Sequence, residues 1–359
     1  MSQAATTNAS AHAAAPAADL RPVVHKLEFT GNGAEWFRIW IVNVLLTIVT
    51  LGIYSAWAKV RRLRYFYQNT RLEGSAFDYH GSPVAILKGR AIVFGGIGLM
   101  HAFQHVNLAI YYALAFVVTL ASPWLLRRSF QFRLYNTSYR GLRFGFVGDN
   151  REAYRVFLLW PLITGLTLGL AWPWAHQRIK RYQHANARFG AAAFRFKATG
   201  RDFLRIYVKI SLISLVPLVL VAIAAVSMGR LDGGAILLMT VGLGLLFITF
   251  AAMALLVGPL LRAWIHNLVW NNTRLGPHRF RATVSARRYT WIVFTNFILT
   301  MLTLGFYRPF AQVRLARYMT ENMLFACFGG IEQFIAGTEQ QVAAAGEEFA
   351  EAFDLDIGL

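Results

Sequence analysis

With 359 residues, 56% of them hydrophobic, and a mean hydropathy of +0.43, the chain is more apolar than an ordinary soluble domain. Uncharged runs at 91–121, 210–228 and 233–261 reach or exceed the ~20 residues that cross a bilayer, so the composition points to an integral membrane protein. The net charge of +19 is uneven: eight of the 17 acidic residues follow Arg317, the last basic residue, leaving +27 on residues 1–317 and −8 on the tail. Basic runs that flank apolar runs follow the positive-inside rule of membrane topology rather than a nucleic-acid footprint, so no nucleic-acid partner is expected. The single cysteine, Cys327, rules out an intramolecular disulfide and a multi-cysteine metal site.

Residues 1–20 are mostly Ala, Ser, Thr and Asn, without the basic start and apolar core of a signal peptide, and a disordered tail over 1–24 is expected. Leu27–Gly33 alternates briefly and turns on glycine, which predicts a short strand. Glu35–Thr50 reads as an apolar helix, and its residues rise only ~24 Å, short of the ~30 Å hydrocarbon core. It ends in LLTIVTLG (45–52), a phrase that returns as LITGLTLG (162–169) and ILTMLTLG (298–305).

The triplets Thr50, Leu51 and Gly52, Thr167, Leu168 and Gly169, and Thr303, Leu304 and Gly305 therefore form a structural repeat motif. Basic, aromatic runs follow each one. Their aligned positions hold Trp57, Trp174 and Phe310; Arg61, Arg178 and Arg314; Arg64, Arg181 and Arg317; and Tyr65, Tyr182 and Tyr318. The spacing of three and four residues puts each set on one helical stripe. After Asn69, Asn136 and Asn272 come polar, aromatic segments with strand-like alternation, and 193–200 adds another. Such backbone cannot face lipid unpaired, so small β layers outside the membrane are expected.

Apolar hairpins lie between the copies, at 88–128 and 202–262. The expected organisation is repeat 1 over 25–87, a hairpin, repeat 2 over 129–201, a hairpin, repeat 3 over 263–330 and an acidic tail over 331–359. In the tail, Ile331, Phe334, Ile335, Val342, Phe349 and Phe353 fall on a loose apolar helical face. The fold class read from this pattern is an α-helical integral membrane protein with small extramembrane β elements. Three internal repeats would each comprise an apolar helix, a Thr-Leu-Gly break, a basic amphipathic helix and short strands, separated by two transmembrane hairpins. Basic runs at 59–71, 127–143, 178–209 and 262–288 cannot share one face if seven segments cross. Four spans with three repeated elements that dip into the membrane satisfy the charge rule; seven spans are the alternative.

Over 29–83 the sequence, which begins FTGNGAEWFRIW, resembles the YjgN-like bacterial inner-membrane proteins, a family of unknown function. Thr50 through Tyr54, Trp57, Arg61, Tyr65, Asn69, Thr70 and Gly74 carry the likeness, which extends over roughly 25–330. It implies a multi-pass protein of the bacterial inner membrane and supplies no reaction or substrate.

Of the candidate sites, the basic-aromatic stripe is the most developed. Paired guanidinium groups beside Trp and Tyr suit phosphate headgroups or an anionic solute, and the three copies give a pseudo-threefold basic surface if they converge. The same residues would also serve to pin an interfacial helix. No nucleophile elbow, phosphate loop, zinc-protease motif or intramembrane acid pair is present. No catalytic residue, metal or cofactor is therefore assigned. The functional expectation is a non-enzymatic membrane protein, its tails cytoplasmic, that binds anionic lipid or an anionic partner through these helices. The alternative is a channel or transporter with broken, re-entrant repeat helices.

Overall fold

The computed structural model describes residues 22–228 and 235–329, with 332, 334–338 and 340. The N-terminal tail and most of the acidic tail, including Ile331, Val342, Phe349 and Phe353, lie outside the described residues.

One structural unit, strand–helix–helix–strand, occurs five times in chain order. Unit I holds β1 (Val23–Phe29), α1 (Gly33–Val49), α2 (Ser55–Gln68) and β2 (Thr70–Leu72). Unit II holds β3 (Ser75–Tyr79), α3 (Pro83–Phe103), α4 (Leu108–Tyr135) and β4 (Thr137–Tyr139). Unit III begins with β5 (Leu142–Phe146) and α5 (Asn150–Tyr154), which runs through a π turn at Arg155–Leu159 into α6 (Trp160–Leu166). It returns through α7 (Trp172–Ala185) to β6 (Ala187–Phe189). Unit IV holds β7 (Ala192–Phe196), α8 (Gly200–Met228), α9 (Ala235–Asn271) and β8 (Thr273–Leu275). Unit V holds β9 (His278–Ala282), α10 (Ala286–Leu302), α11 (Arg308–Glu321) and β10 (Met323–Cys327).

The ten strands close into a single antiparallel barrel, with β1 between β10 and β2. This corrects the expectation of a helical membrane protein with minor β layers, three repeats and two separate hairpins. The strands are one continuous closed sheet, and the supposed intervening hairpins are the helical parts of units II and IV. Strands of three to seven residues are too short to show a clear alternation, and closure depends on pairing Val23 with Cys327, almost the whole chain apart.

The same local chemistry builds each unit. The helix leaving the strand starts at a short polar side chain: Asn32 accepts from the Ala34 N–H at 2.9 Å, Ser82 from Ala85 at 3.4 Å and Ser285 from Arg288 at 3.5 Å. The returning helix ends at an asparagine, namely Asn69, Asn136, Asn186, Asn272 and Asn322. Each turns its side-chain amide back onto the carbonyl four residues earlier, at 2.7–3.1 Å. Each backbone carbonyl then accepts from the residue just after the unit's first strand, at 2.8–3.0 Å: Thr30, His80, Val147, Lys197 and Thr283. These bonds satisfy groups that the end of a helix would otherwise leave unpaired.

Because the strands alternate in direction, all helices spring from one rim and all tight turns sit at the other. Glu73 with Gly74, and Arg140 with Gly141, take positive φ at both turn positions, the geometry that suits two-residue hairpins. Around the ring each helix packs on its neighbours, and α11 packs against α1 to close it. Trp36 Nε1 donates to Gln312 Oε1 across that closure at 2.9 Å. Among the described residues, three helices are long and apolar enough to cross a membrane: Pro83–Phe103, Leu108–Tyr135 and Thr240–Asn271.

Candidate functional site

The three Thr-Leu-Gly motifs form the tips of the helical pairs in units I, III and V. Their backbones are nearly superimposable: φ is 49°, 50° and 50° at Leu51, Leu168 and Leu304, and 93°, 90° and 96° at Gly52, Gly169 and Gly305. The glycine N–H reaches back to Thr47, Thr164 or Thr300 at 2.7 Å in each copy. The second threonine stitches the two helices together. Thr50 Oγ1 donates to Leu46 O and accepts from Tyr54 N, and Thr303 does the same with Leu299 and Tyr307. Thr167 Oγ1 likewise donates to Ile163 O and accepts from Ala171 N. The tip leucines are 95%, 94% and 90% exposed, among exposed Val49, Leu166, Leu170 and Leu302. Polar stitching inside and bare leucine outside make each tip a hydrophobic wedge.

Below the tips, the stripe residues separate into different environments. Trp57 stacks on Tyr54, and the Arg61 guanidinium lies 5.7 Å from the Tyr54 ring. Arg61 and Arg64 join Glu35 and Arg38 along an open groove of about 540 Å³ between α1 and α2. Arg178 lies 5.8 Å over Trp160, and Arg181 is exposed. Trp174 and Phe310 cover Gly200 and Gly33 of the next units, where an added Cβ would sit 2.5 and 2.6 Å from their rings. Arg314 donates to Thr295 Oγ1 at 2.9 Å and to Asn296 Oδ1 at 3.2 Å; Arg317 donates to Gly31 O at 2.8 Å, across the closure.

The three tyrosines are buried and clasp the loops that start their own units. The Tyr65 hydroxyl accepts from Asn32 N and donates to Asn32 O. Tyr318 does the same at Ser285, and Tyr182 donates to Asp149 O. Burial pushes the Tyr65 and Tyr182 phenols up to about 12. Units I, III and V occupy the first, third and fifth places of a five-unit ring, so V adjoins I while III stands between II and IV. The stripes consequently share no threefold axis.

The barrel interior was not anticipated from the sequence. One cross-strand pair of each unit points into it: Leu27 with Leu72, Phe77 with Tyr139, Phe144 with Phe189, Phe194 with Leu275, and Phe280 with Phe325. Ring centroids 4.7–5.0 Å apart in three of these pairs mark close aromatic packing. A cavity of about 440 Å³ remains, with Tyr67, Leu134, Trp270 and Thr320 on the helical side and Phe334 and Ile335, following β10, among its other walls.

Next to the helical side stand two histidines that the sequence does not single out, His184 and His266, with ring centroids 5.3 and 6.4 Å from that of Trp270. His184 packs edge-on to Trp270 and flat against Phe196. Burial foremost, then Lys180, Arg133 and His266, holds its imidazole down at about 4. Lys59 and Lys180 are also held below the usual lysine range, by burial first and then by neighbouring cations, Arg133 among them. The five-fold recurrence of asparagine at the helix ends was the available signal for this interior, since it announces five units around one axis.

The sequence pattern of a family described as bacterial protein of unknown function (DUF898) matches residues 24–352, nearly the whole described fold. The chain belongs to this family. Among curated relatives of the DUF898 chain, an inner membrane protein YjgN of Salmonella typhimurium (strain LT2) is 26% identical, covering 83% of this chain and 87% of the relative. Inner membrane protein YjgN of Escherichia coli O157:H7 is 28% identical over 40% of this chain and 37% of its own, and that of Escherichia coli K12 is 29% identical over the same shares. No solved structure matches it.

Proposed function

We propose that the chain is a multi-pass protein of the bacterial inner membrane that binds anionic lipid, or an anionic partner at the lipid surface, through the basic helices returning from its three hydrophobic tips. The long helical pairs cross, the short pairs dip, and the barrel with both chain ends lies on the cytoplasmic side. The observation that carries this reading is the pairing of bare apolar tips with exposed arginines on the same hairpins. Leu51 is 95% exposed at one tip, and Arg61 and Arg64 follow on the returning helix, as Arg178 and Arg181 follow Leu168. With leucine in hydrocarbon, Arg61 and Arg178, each six residues past the first residue of the returning helix, stand ~9 Å along that helix toward the headgroups. The names of the relatives support the location, and the concentration of basic residues near the barrel supports the orientation.

The test is lipid selectivity in nanodiscs containing phosphatidylcholine and phosphatidylglycerol, read with spin-labelled lipids. Arg61→Gln, Arg178→Gln and Arg314→Gln together should lower the preference for phosphatidylglycerol while insertion stays normal. Unaltered selectivity in a correctly inserted variant would sink the reading.

A further inference from the structure

Binding at the membrane surface leaves the barrel lumen without a role. Its cavity of about 440 Å³ falls within the size range of small-molecule sites. Protein interiors pack with few voids larger than a water molecule, so a space of this size inside a closed barrel is far larger than a packing defect.

The lining decides what the space can hold. None of its residues is acidic, basic or a histidine, and Phe77, Phe144, Phe189, Phe194, Phe280 and Phe325 supply its aromatic wall. The hydroxyls of Thr70, Thr137 and Tyr139 are already committed to backbone carbonyls, donating to Phe66 O and Arg133 O at 2.9 Å and to Leu72 O at 2.8 Å. Water among the phenylalanines would lack the two to four polar partners it needs. A charged group there would lose its hydration with nothing to replace it. A hydrocarbon chain meets neither obstacle.

The two ends of the lumen differ. The residue two places before each unit-closing asparagine is Tyr67, Leu134, His184, Trp270 or Thr320, one from each unit at the helical end. Four of these line the cavity, and the His184 ring stands 5.3 Å from that of Trp270. Among the described residues, the Tyr67 hydroxyl, the Trp270 indole N–H and the Thr320 hydroxyl make no hydrogen bond. The unused polar groups of the lining therefore gather at one end. At the other end, Phe334 packs 6.0 Å from Phe189 and edge-on to His278 at 4.2 Å, beside the β8–β9 turn, and the neighbouring Ile335 is buried.

We propose that the lumen is a binding site for one uncharged, mostly hydrocarbon molecule with a single hydrogen-bonding end, of the kind a long-chain alcohol represents. Its chain lies among the phenylalanines and its polar end meets Tyr67, Trp270 and Thr320. The molecule enters from the helical rim, because Phe334 and Ile335 occupy the turn end and the helices long and apolar enough to cross a membrane spring from the helical one. This site shares no residue with the tip arginines and does not rest on them.

The experiment uses the full chain in phosphatidylcholine nanodiscs with hexadecanol carrying a mid-chain diazirine. After irradiation, the labelled peptides are mapped by mass spectrometry. Labelling of the strand peptides that hold Phe144, Phe189 or Phe280 is expected, saturating at one probe per chain. Unlabelled hexadecanol should compete, and hexadecyl sulfate, with the same chain and a permanent charge, should need at least about tenfold more. Hexadecane, which has no polar end, should compete about fivefold less well than hexadecanol.

Tyr67→Phe with Thr320→Val should abolish the advantage of hexadecanol over hexadecane while both still compete. Leu72→Phe with Leu275→Phe, which narrows the lumen, should lower strand labelling at least about fivefold and leave labelling of the apolar helices unchanged. Labelling confined to those helices, strand labelling that never saturates, or equal competition by hexadecyl sulfate or hexadecane overturns the proposal. If the narrowed variant does not fold, the competition series on the unaltered protein decides the matter alone.

Discussion

Replacing Tyr65 by Phe removes one oxygen and its two bonds to Asn32, together with a longer contact to Glu35 Oε2 at 3.2 Å that shares the same proton, while leaving the ring in place. The hydroxyl accepts from Asn32 N at 2.9 Å and donates to Asn32 O at 2.8 Å, while the ring stacks on Trp36 at 5.0 Å, a contact that Phe retains. At a net ~1 kcal/mol per bond, the loss is about 2 kcal/mol, concentrated at the start of α1. Tyr318 makes the same two bonds to Ser285 and should cost as much; Tyr182 makes one, to Asp149 O at 3.2 Å, and should cost about half. The Trp36 amide, bonded to Asn32 O at 3.0 Å, reports the loss directly. Hydrogen exchange there should accelerate about 30-fold in Tyr65→Phe, and about 5-fold at the corresponding Ala153 amide in Tyr182→Phe. An unchanged rate at Trp36, or a larger effect from Tyr182 than from Tyr65, would refute the clasp as the element that ties each returning helix to its own first strand.

Gly52→Ala should lower stability by about 1–2 kcal/mol even though open space surrounds the site, because φ of +93° is strained for any residue with a Cβ; thermal unfolding in detergent checks this. His176 and His184 are both held down at about 4, chiefly by burial, so their neutral forms belong to the fold. Their contribution is complete above pH ~6.5 and is lost as the pH falls through that value toward 4, where the unfolded chain takes up protons first. Melting temperature against pH should show this acid limb, and His184→Gln should flatten it. On the barrel exterior, Arg195 faces Arg274, which in turn faces Arg279 across the next pair. Arg274→Thr relieves this repulsion and should raise stability by ~0.2–1 kcal/mol, measured by the same unfolding assay.

The helices and the three tips were legible because their signals are local. Apolar runs have length, and Thr-Leu-Gly needs only its own residues to set Leu51 and Gly52 at positive φ. Barrel closure had no such signal: Ala187–Phe189 and Thr273–Leu275 are three residues each, and their partners are fixed by the register of a sheet that exists only when complete. The stripe was legible as a spacing, but spacing does not reveal direction. Tyr65, Tyr182 and Tyr318 turn toward their own first strands, whereas Arg61 and Arg181 stay exposed. The histidines at Trp270 were hidden for the opposite reason: His184 comes from unit III and His266 from unit IV, and only the packing of those units brings both rings to Trp270.

The pairing of β1 with β10 also sets a clock for assembly. The first strand emerges from the ribosome with its β2 side satisfied soon after residue 72, but its other edge waits for Met323–Cys327. At ~5–20 residues per second, that interval is on the order of 10–50 s, during which Val23–Lys26 offers an unpaired edge to any other strand in reach. A chain truncated before Met323 would leave the facing edges of both β1 and β9 unpaired, the kind of exposed edge that invites pairing with another chain.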